Sequence, residues 1–350
     1  MRSGACLKSS AASFNGKALP RSPCGALARD VKVAMQHHCN FAKAKIMATV
    51  MNQYTFGEST PVVEPPTAVT QRASTSMAHR VRTHFGADTD PLQNRLLALL
   101  PQADRTRLLP QLEPVELRLG KVLHDCGGTS GFVHFPTSAI VSHLTLLDDG
   151  ASAETAVVGR EGVVGFPSFM EGNATPGQSI VMRTGGAIRM RSHVLASEMN
   201  RSGALLNLLL RHTQALLAQM AQIAVCNRHH RLDAQLCRWL LLMLDRSRGS
   251  EILMTQELIA SMLGVRREGV TAAAGKLQAA GLICYRRGLI RVLDRVGLEQ
   301  RTCECYAIVR NEYECLLPAL ESDTYDTKNP GLRNTVHPFP PRYPHFAVCS

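Results

Sequence analysis

Hydrophobic and polar residues change their spacing along the chain, and each spacing predicts a different kind of structure. Over residues 113–191, short β-branched and apolar runs such as FVHF and AIVSHLTLL alternate with the turn sequences DDG, GREG and TGG. Strands that reverse within a few residues are typical of a small antiparallel barrel or jelly roll. Before them, short amphipathic helices from Asn94, broken by Pro101 and Pro110, are expected to cap its entry.

Helical periodicity replaces this pattern over residues 203–227, where apolar and small residues occupy more than one face. A helix of this length is expected to pack on its own barrel and on a second copy of itself, so the chain is predicted to form a homodimer. A single buried core helix is the alternative. The predicted dimerisation stripe is Leu206, Leu209, Thr213, Leu216, Met220 and Ile223, with Leu210 and Leu217 beside it.

The stretch TQELIASMLGVRREGVTAAAGKLQAAGLI, residues 255–283, predicts a helix, a tight turn and a second helix. Thr255 is a suitable N-cap, and Gly264 supplies the permissive backbone that the turn needs. An arginine can bond guanine through two donors, and a glutamate can accept from cytosine. The candidate DNA contacts of the two helices are Thr255, Gln256, Arg266, Arg267, Glu268 and Thr271.

The following stretch, LICYRRGLIRVLD, predicts two short strands joined at Arg286, Arg287 and Gly288. This pattern is that of a β-hairpin wing with a basic tip, so Arg286 and Arg287 join the candidate DNA contacts. Basic residues outnumber acidic ones from residue 254 to residue 295, and they include Arg291 and Arg295. Positive charge is therefore expected where phosphates would lie.

The composition agrees with a nucleic-acid partner without requiring one. A formal net charge of +11 and a pI near 9.3 favour a polyanion, which could be nucleic acid or a lipid surface. The sequence contains no uninterrupted run of 18 apolar residues, so no membrane span is predicted. The 11 cysteines follow no disulfide framework, which indicates a reducing cytoplasm.

Both ends of the chain lack sustained periodicity. Residues 1–90 are basic and rich in Ala, Ser and Pro, and they are expected to be disordered; an initiation site at Met77 would leave most of them untranslated. The first 29 residues lack Asp and Glu and faintly resemble a transit peptide. The predicted organisation is a disordered extension, 1–90; a sensor domain, 94–200; a dimerisation helix, 203–227; a DNA-binding domain, 228–318; and a disordered Pro-rich tail, 319–350.

The order of barrel, long helix and winged helix-turn-helix, with the stretches MTQELIASMLGVRREGVT, AVCNRHH, QLCRWLL and CECYAIV, resembles the Crp/Fnr family of bacterial transcription regulators over about residues 94–317. The resemblance implies an α+β fold, with an antiparallel β-roll sensor domain similar to those that bind cyclic nucleotides. It also implies that the protein binds palindromic operator DNA as a homodimer, with RNA polymerase as a partner. On the DNA, Arg267 and Glu268 would read bases, and Thr255 and Gln256 would contact the DNA backbone. Arg266 and Ala272 depart from the family pattern, so no operator sequence is transferred.

The resemblance weakens at the positions that would hold a cyclic nucleotide. The family's Gly-Glu-Leu turn is replaced by residues 165–167, Gly-Phe-Pro, and its Arg-Ser pair by Gln178 and Ser179. Without the arginine, a cyclic phosphate lacks a charge-assisted partner. The effector is thus unknown and not expected to be cyclic AMP, and no cofactor is predicted. The stretch GREGVVG is interpreted as a turn because it lacks the lysine of a phosphate-binding loop.

The cysteines and histidines do not complete a metal-binding pattern along the sequence. Cys6, Cys24 and Cys39 are too scattered for an iron–sulfur cluster. Cys226 and His230 would share a helix face, but with His229 and Cys237 they form no tetrahedral spacing, so core packing is favoured and no metal is predicted. Of Cys303 and Cys305, one is expected inside and one outside. Arg160 and Glu161, at this same barrel turn GREG, are interpreted as solvated, with a contact to RNA polymerase as the alternative.

Rival functions find less support. No nucleophile elbow or His-Glu-x-x-His run is present, so no enzymatic activity is predicted. One alternative is a ligand-binding or cyclic-nucleotide-binding sensor whose DNA binding is secondary or constitutive. Another is a basic protein that coats DNA without sequence choice, which Glu268 disfavours because an acid in the groove adds nothing to phosphate binding.

Overall fold

The structure is a computed structural model that describes residues 89–125, 131–149, 151–165, 177–201, 203–247 and 249–318. The predicted disordered segments, apart from residues 89 and 90, lie outside these ranges. So do Met77, Cys6, Cys24 and Cys39, and the Phe166 and Pro167 of the altered sensor turn. Among the described residues, no helix combines the length and the apolar character needed to cross a bilayer.

A short helical segment begins the described chain and is tied to the barrel by one buried side chain. The Asn94 carboxamide accepts from the amides of Leu96 and Leu97 and donates to the carbonyls of Pro136 and Gly162. The carboxamide oxygen of Asn94 therefore caps the helix with two accepted bonds, and its nitrogen joins the helix to the barrel with two donated bonds. The elements are a 3₁₀ turn (Pro91–Gln93), α1 (Arg95–Ala98), α2 (Gln102–Leu108) and a second 3₁₀ turn (Leu109–Gln111).

Seven antiparallel strands then form the predicted β-roll. They are β1 (Glu113–Leu117), β2 (Val122–His124), β3 (Phe132–Pro136), β4 (Ile140–Leu146), β5 (Ser152–Val158), β6 (Gly177–Arg183) and β7 (Gly185–Arg191). One sheet has the order β1-β7-β3 and the other β2-β6-β4-β5. Leu117 and Ala187 of the first sheet meet Val141, Val158 and Val181 of the second in one buried cluster, which closes the roll. The α+β fold class is confirmed.

The long helix follows the roll directly. After α3 (Ser192–Arg201), α4 runs over Gly203–His229, and its 27 residues make it about 40 Å long. It ends two residues beyond the predicted boundary, at the start of a short turn into the next helix. One face of α4 packs on strand β5 and on the last helix of the chain.

The C-terminal region contains the predicted helix pair and wing. Its elements are α5 (Leu232–Arg246), β8 (Glu251–Leu253), α6 (Gln256–Leu263), α7 (Arg267–Ala279), β9 (Ile283–Arg286), β10 (Leu289–Val292), α8 (Arg295–Arg301) and α9 (Glu304–Leu316). The wing sheet has the order β8-β10-β9. The sequence predicted only β9 and β10, because the three residues of β8 carry too little periodicity to identify a strand.

The roll and the C-terminal region share one continuous hydrophobic core. This core includes Phe135 and Ile180 from the strands and Trp239 and Leu258 from the C-terminal helices. Trp239 is 2% exposed, as expected from its setting among leucines. Because helices α4, α5 and α6 all pack on strand β5, the position of the helix pair depends on the roll.

Three buried histidines connect the stability of this core to pH. Burial lowers the pKa of His124 and His212 to about 4. Burial, together with the nearby charges of His124 and Lys121, lowers the pKa of His134 to about 3. In the unfolded chain each would titrate near pH 6.5.

We expect the folded protein to lose stability as the pH falls below about 6.5. The folded-state pKa of each of these histidines is depressed, so the unfolded chain binds more protons between pH 6.5 and 4, and each histidine costs about 2 kcal/mol at pH 5. Urea unfolding at pH 7.5, 6 and 5 measures the loss. The free energy of unfolding of His134→Gln should depend less steeply on pH than that of the wild type, whatever the variant's stability at pH 7.5.

The comparison with this variant is needed because Glu154 acts in the opposite direction. Burial raises the pKa of this carboxyl to about 7, so its contribution to stability decreases as the pH rises from about 4.5 to 7. An identical pH dependence of the free energy of unfolding in His134→Gln and the wild type would contradict the assignment to His134.

Candidate nucleic-acid interface

Helix α6 has the predicted beginning and end. The Thr255 hydroxyl accepts from the amide of Leu258 at 3.2 Å, which satisfies one of the unpaired donors of the first turn. Gly264 ends the helix with φ +65°, a left-handed conformation in which a side chain is strained, and its amide donates to Ala260. The apolar residues between these caps are buried. They are Leu258, Ile259, Ala260, Met262 and Leu263.

Helix α7 begins at Arg267. Arg266 is the N-cap residue and has extended backbone angles, so it precedes the first helical turn. The buried face of α7 consists of Val270, Ala273, Ala274 and Leu277. A Cβ on Gly269 would lie 2.8 Å from Leu232 Cδ2, which shows how closely α7 packs on α5. The exposed face of α7 carries Arg267, Glu268, Thr271, Ala272 and Lys276.

The two helices are joined at this exposed face. The Thr271 hydroxyl donates to Gln256 Oε1 at 2.7 Å, and the guanidinium of Arg267 lies 3.9 Å from the carboxylate of Glu257. Both contacts are exposed and weak in water, so they orient side chains more than they stabilise the fold. Gln256, Arg267 and Thr271, which were predicted separately, therefore form one surface.

The wing tip is a two-residue turn between Arg286 and Leu289. Arg287 and Gly288 have φ values of 49° and 78°, which identify a type I′ turn, the form that matches the twist of a hairpin. The Met254 amide donates to the carbonyl of Gly288 at 2.6 Å. This bond holds the wing tip beside the start of α6, with Arg286 and Arg287 both exposed.

Tyr285 connects the wing to the helices, and the sequence interpretation missed it. Its hydroxyl donates to the Met254 carbonyl at 3.2 Å. Burial raises the pKa of the phenol, while the Gln256 amide and the charge of Arg267 act to lower it. An aromatic residue next to a basic hairpin tip was the available signal. Lys276, which shares the exposed face of α7, was counted only as charge.

Two arginines that were expected to face phosphates have partners within the protein. Arg291 forms an exposed ion pair with Glu251 at 2.6 Å. Arg295 is half-buried and contacts Asp245 at 2.5 Å, Glu299 at 2.9 Å and the hydroxyl of Tyr306. Arg295 is thus part of the packing between α5, α8 and α9, and the expectation that it faces DNA was wrong.

A family comparison agrees with this geometry. Residues 234–301, which contain α5, both helices of the pair and the wing, match the family described as the Crp-like helix-turn-helix domain. These residues therefore form a Crp-like helix-turn-helix domain. The predicted resemblance is confirmed over this part of the chain.

Solved structures of other regulators resemble this one at low identity. A regulator assigned to the Crp/Fnr family from Eubacterium rectale is 18% identical, with 59% of this chain and 96% of that chain covered, at a TM-score of 0.48. FixK2 from Bradyrhizobium japonicum is 16% identical, with 55% of this chain and 98% of that chain covered, at a TM-score of 0.47. A regulator of the CRP family from Thermus thermophilus is 18% identical, with 54% of this chain and 95% of that chain covered, at a TM-score of 0.46. No curated protein matches the chain.

A buried ion pair joins the β-roll to helix α5 of the helix-turn-helix domain. Glu161 Oε1, in the turn after β5, accepts from Arg246 Nε at 2.6 Å, and the two side chains are 7% and 5% exposed. Burial alone would raise the pKa of Glu161, but the charge of Arg246 and backbone amides hold it below its ordinary value. The turn is therefore not solvated at Glu161, contrary to the expectation from sequence.

Helix α4 exposes different apolar side chains from those predicted for the dimer stripe. Leu209 and Ile223 are buried in the protomer's own core, whereas Leu206, Thr213, Leu216 and Met220 are half-buried. The exposed large apolar side chains of α4 are Leu210 at 50%, Leu217 at 61% and Val225 at 49%.

The altered sensor residues are engaged with neighbouring side chains. Gln178 donates to Asp125 at 3.0 Å, and the Ser179 hydroxyl lies 2.9 Å from His143 Nδ1. Gln178 and Ser179 are 1% and 5% exposed. The carboxylate of Asp125 thus lies next to the position that resembles the family's phosphate-binding arginine.

We expect Glu161→Ala to destabilise the regulator by about 3–5 kcal/mol, because the substitution leaves the charge of Arg246 buried without its partner. Glu113→Ala is the matched control: Glu113 forms an exposed pair with Arg189 at 2.8 Å, and its loss should cost less than about 1 kcal/mol. Urea unfolding followed by circular dichroism measures both. Equal losses in the two variants would show that the buried pair does not hold the domains together.

Proposed function

We propose that the protein binds a palindromic operator as a homodimer and regulates transcription from it. The observation that carries this proposal is the single exposed surface formed by the start of α6, the first turns of α7 and the wing tip. Direct contacts join all three: Thr271 with Gln256, Met254 with Gly288, and Tyr285 with Met254.

The chemistry of this surface suits the two parts of a DNA site. Arg267 and Glu268, in the first turn of α7, have the donors and acceptors that distinguish base pairs in the major groove. Thr255 and Gln256, at the N-terminus of α6, suit a phosphate, because unpaired amides and the helix dipole attract anions there. Arg266, Arg286 and Arg287 flank them and supply positive charge.

Arg267→Ala should lower affinity for the operator by about 1–3 kcal/mol, because a bidentate contact with a base is lost, and should change affinity for random DNA little. Arg287→Ala should weaken binding to the operator and to random DNA alike, because a phosphate contact is lost. It should also reduce the slope of log affinity against log salt concentration by about 1. The operator would first be selected from genomic fragments, and affinities would be measured at two salt concentrations.

Arg118→Ala is the matched control for these measurements. Arg118 is an 82% exposed arginine of the sensor roll, outside the proposed surface, so its loss should leave both affinities unchanged. If Arg267→Ala leaves the preference for the operator over random DNA intact, Arg267 does not read bases. Equal binding of the wild-type protein to all genomic fragments would instead support a protein that coats DNA without sequence choice.

The homodimer is proposed to form along the exposed stripe of α4. Leu206, Leu210, Thr213, Leu217 and Met220 are spaced alternately by four and three residues, the repeat by which two helices pack along a shared seam. Their partial exposure in the protomer leaves them available to a second copy. Two such protomers would place their α7 helices about one DNA turn, roughly 34 Å, apart.

Leu217→Glu should convert the dimer to a monomer, since two facing charges would be buried without partners. Sedimentation equilibrium at several concentrations measures the association. Leu147→Glu is the control, because Leu147 is 58% exposed but lies in the turn between β4 and β5. A Leu217→Glu protein that remains as dimeric as the control would place the dimer interface elsewhere.

The effector of the sensor roll is proposed to be something other than cyclic AMP. The position that resembles the family's phosphate-binding arginine is Gln178, a neutral side chain that donates to Asp125, so it offers a cyclic phosphate no charge-assisted hydrogen bond. Protein side chains alone make the contact between the roll and the DNA-binding domain through Glu161 and Arg246. Constitutive DNA binding is therefore the second candidate, with the same DNA surface.

The regulator is proposed to act in the cytoplasm and to affect RNA polymerase directly. Its DNA-binding surface and its family support this proposal. The contact with polymerase is not assigned to Glu161, because that side chain is buried against Arg246.

A further inference from the structure

Four metal-ligating side chains converge where the long helix meets the last helix of the chain. Cys226 and His230 come from the end of α4, and Cys303 and Cys305 from the start of α9. Their donor atoms all lie within 4.8 Å of one another. The Sγ atoms of Cys226 and Cys303 are 3.4 Å apart, and Cys305 Sγ is 3.5 Å from His230 Nδ1.

This cluster differs from the sequence expectation in two ways. Cys303 and Cys305 are both buried, at 9% and 1% exposure, although one was expected outside. The reason is that Cys303 is the extended N-cap residue of α9, so it does not follow the helical spacing of Cys305. His229, which was considered beside His230, is exposed. The two missing ligands thus come from a segment more than 70 residues further along the chain.

We propose that Cys226, His230, Cys303 and Cys305 bind one tetrahedral metal ion, with zinc as the best match. Zinc bonds of about 2.3 Å to sulfur and 2.0–2.1 Å to nitrogen place the ligand atoms of a tetrahedron about 3.5–3.8 Å apart. The donor atoms here need to move by only a fraction of an ångström to about 1 Å to reach that arrangement. An iron–sulfur cluster carries several irons and sulfides between its ligands and needs a wider site.

Outer contacts orient the ligands as metal sites require. His230 Nδ1 faces the sulfurs, and its Nε2 lies 3.4 Å from the carboxylate of Glu304, the arrangement that fixes the tautomer of a ligating histidine. The Gln235 carboxamide donates to the carbonyls of His230 at 2.8 Å and Cys226 at 3.3 Å. These bonds hold the turn between α4 and α5 in place.

The charge around the cluster favours thiolates. Three thiolates, a neutral histidine and a divalent ion give a net charge of −1. Arg238 is 2% exposed, and its Nε and Nη1 have no hydrogen-bond partner. A buried guanidinium requires a compensating anion, which the metal–thiolate centre would supply.

Four protein ligands leave no coordination position open, so the ion is structural and not catalytic. It links the C-terminal end of the dimerisation helix to α9, and the segment between these ligands contains the whole helix pair and the wing. Metal binding would thereby add its free energy to the folding of the DNA-binding domain.

Metal analysis of the full chain, purified with a reductant and without chelator, tests the proposal. We expect one zinc per chain. Exchange for Co²⁺ should give the intense visible absorption of a tetrahedral site and the near-ultraviolet band of cobalt bound to thiolate. Cys226→Ser and Cys305→Ser should each lose most of the bound metal. Cys237→Ser, a buried neighbour outside the cluster, and Cys284→Ser, an exposed thiol, should both keep one equivalent.

The cobalt spectrum of the wild-type protein decides the outcome if a variant fails to fold. A reduced, folded chain that contains no zinc and shows no cobalt–thiolate bands overturns the proposal. So does retention of a full equivalent by Cys305→Ser, or a disulfide between Cys226 and Cys303 found by peptide mapping of the protein as isolated. None of these readouts depends on DNA binding, so they are independent of the proposed function.

Discussion

The buried ion pair between Glu161 and Arg246 determines how the two halves of the molecule meet. Two charges removed from water are tolerated only with good geometry and additional hydrogen bonds, and both partners have them. Glu161 also accepts from the amide of Gly159, and Arg246 also donates to the carbonyl of Leu242. Because Arg246 is the last residue of α5, this contact sets the position of the helix against which α7 packs.

The same contact gives a route by which the sensor roll could affect DNA binding. The turn that carries Glu161 also places Val163 against His212 of α4, and the carboxamide of Gln219 on α4 is hydrogen-bonded to the hydroxyl of Tyr313 on α9. The roll, the long helix and the last helix therefore share one polar junction. A ligand that favoured another arrangement of this junction would shift the DNA-binding surface only by its difference in affinity for the two arrangements.

Local signals in the sequence predicted the helix pair and the hairpin, and distant contacts escaped prediction. The Thr255 cap, the Gly264 turn and the hairpin at Arg286–Leu289 each depend on neighbours within a few residues, so the printed sequence contains their causes. The partner of Glu161 lies 85 residues away, and Cys226 meets Cys303 across 77. Spacing along the chain cannot reveal such pairs. The same limit explains the dimer helix, whose periodicity shows two apolar faces without showing which one the roll covers.

The backbone of Arg287 shows what the wing tip gives up in stability. A left-handed conformation costs most residues about 1–2 kcal/mol, and asparagine or glycine would occupy this position with less strain. Among the described residues, Arg287 is the only residue other than glycine with a positive φ. Selection for stability alone would thus favour a smaller residue at this place. An arginine there is understandable if its charge is used on a partner outside the chain, so the strain itself marks the wing tip as a surface shaped for binding.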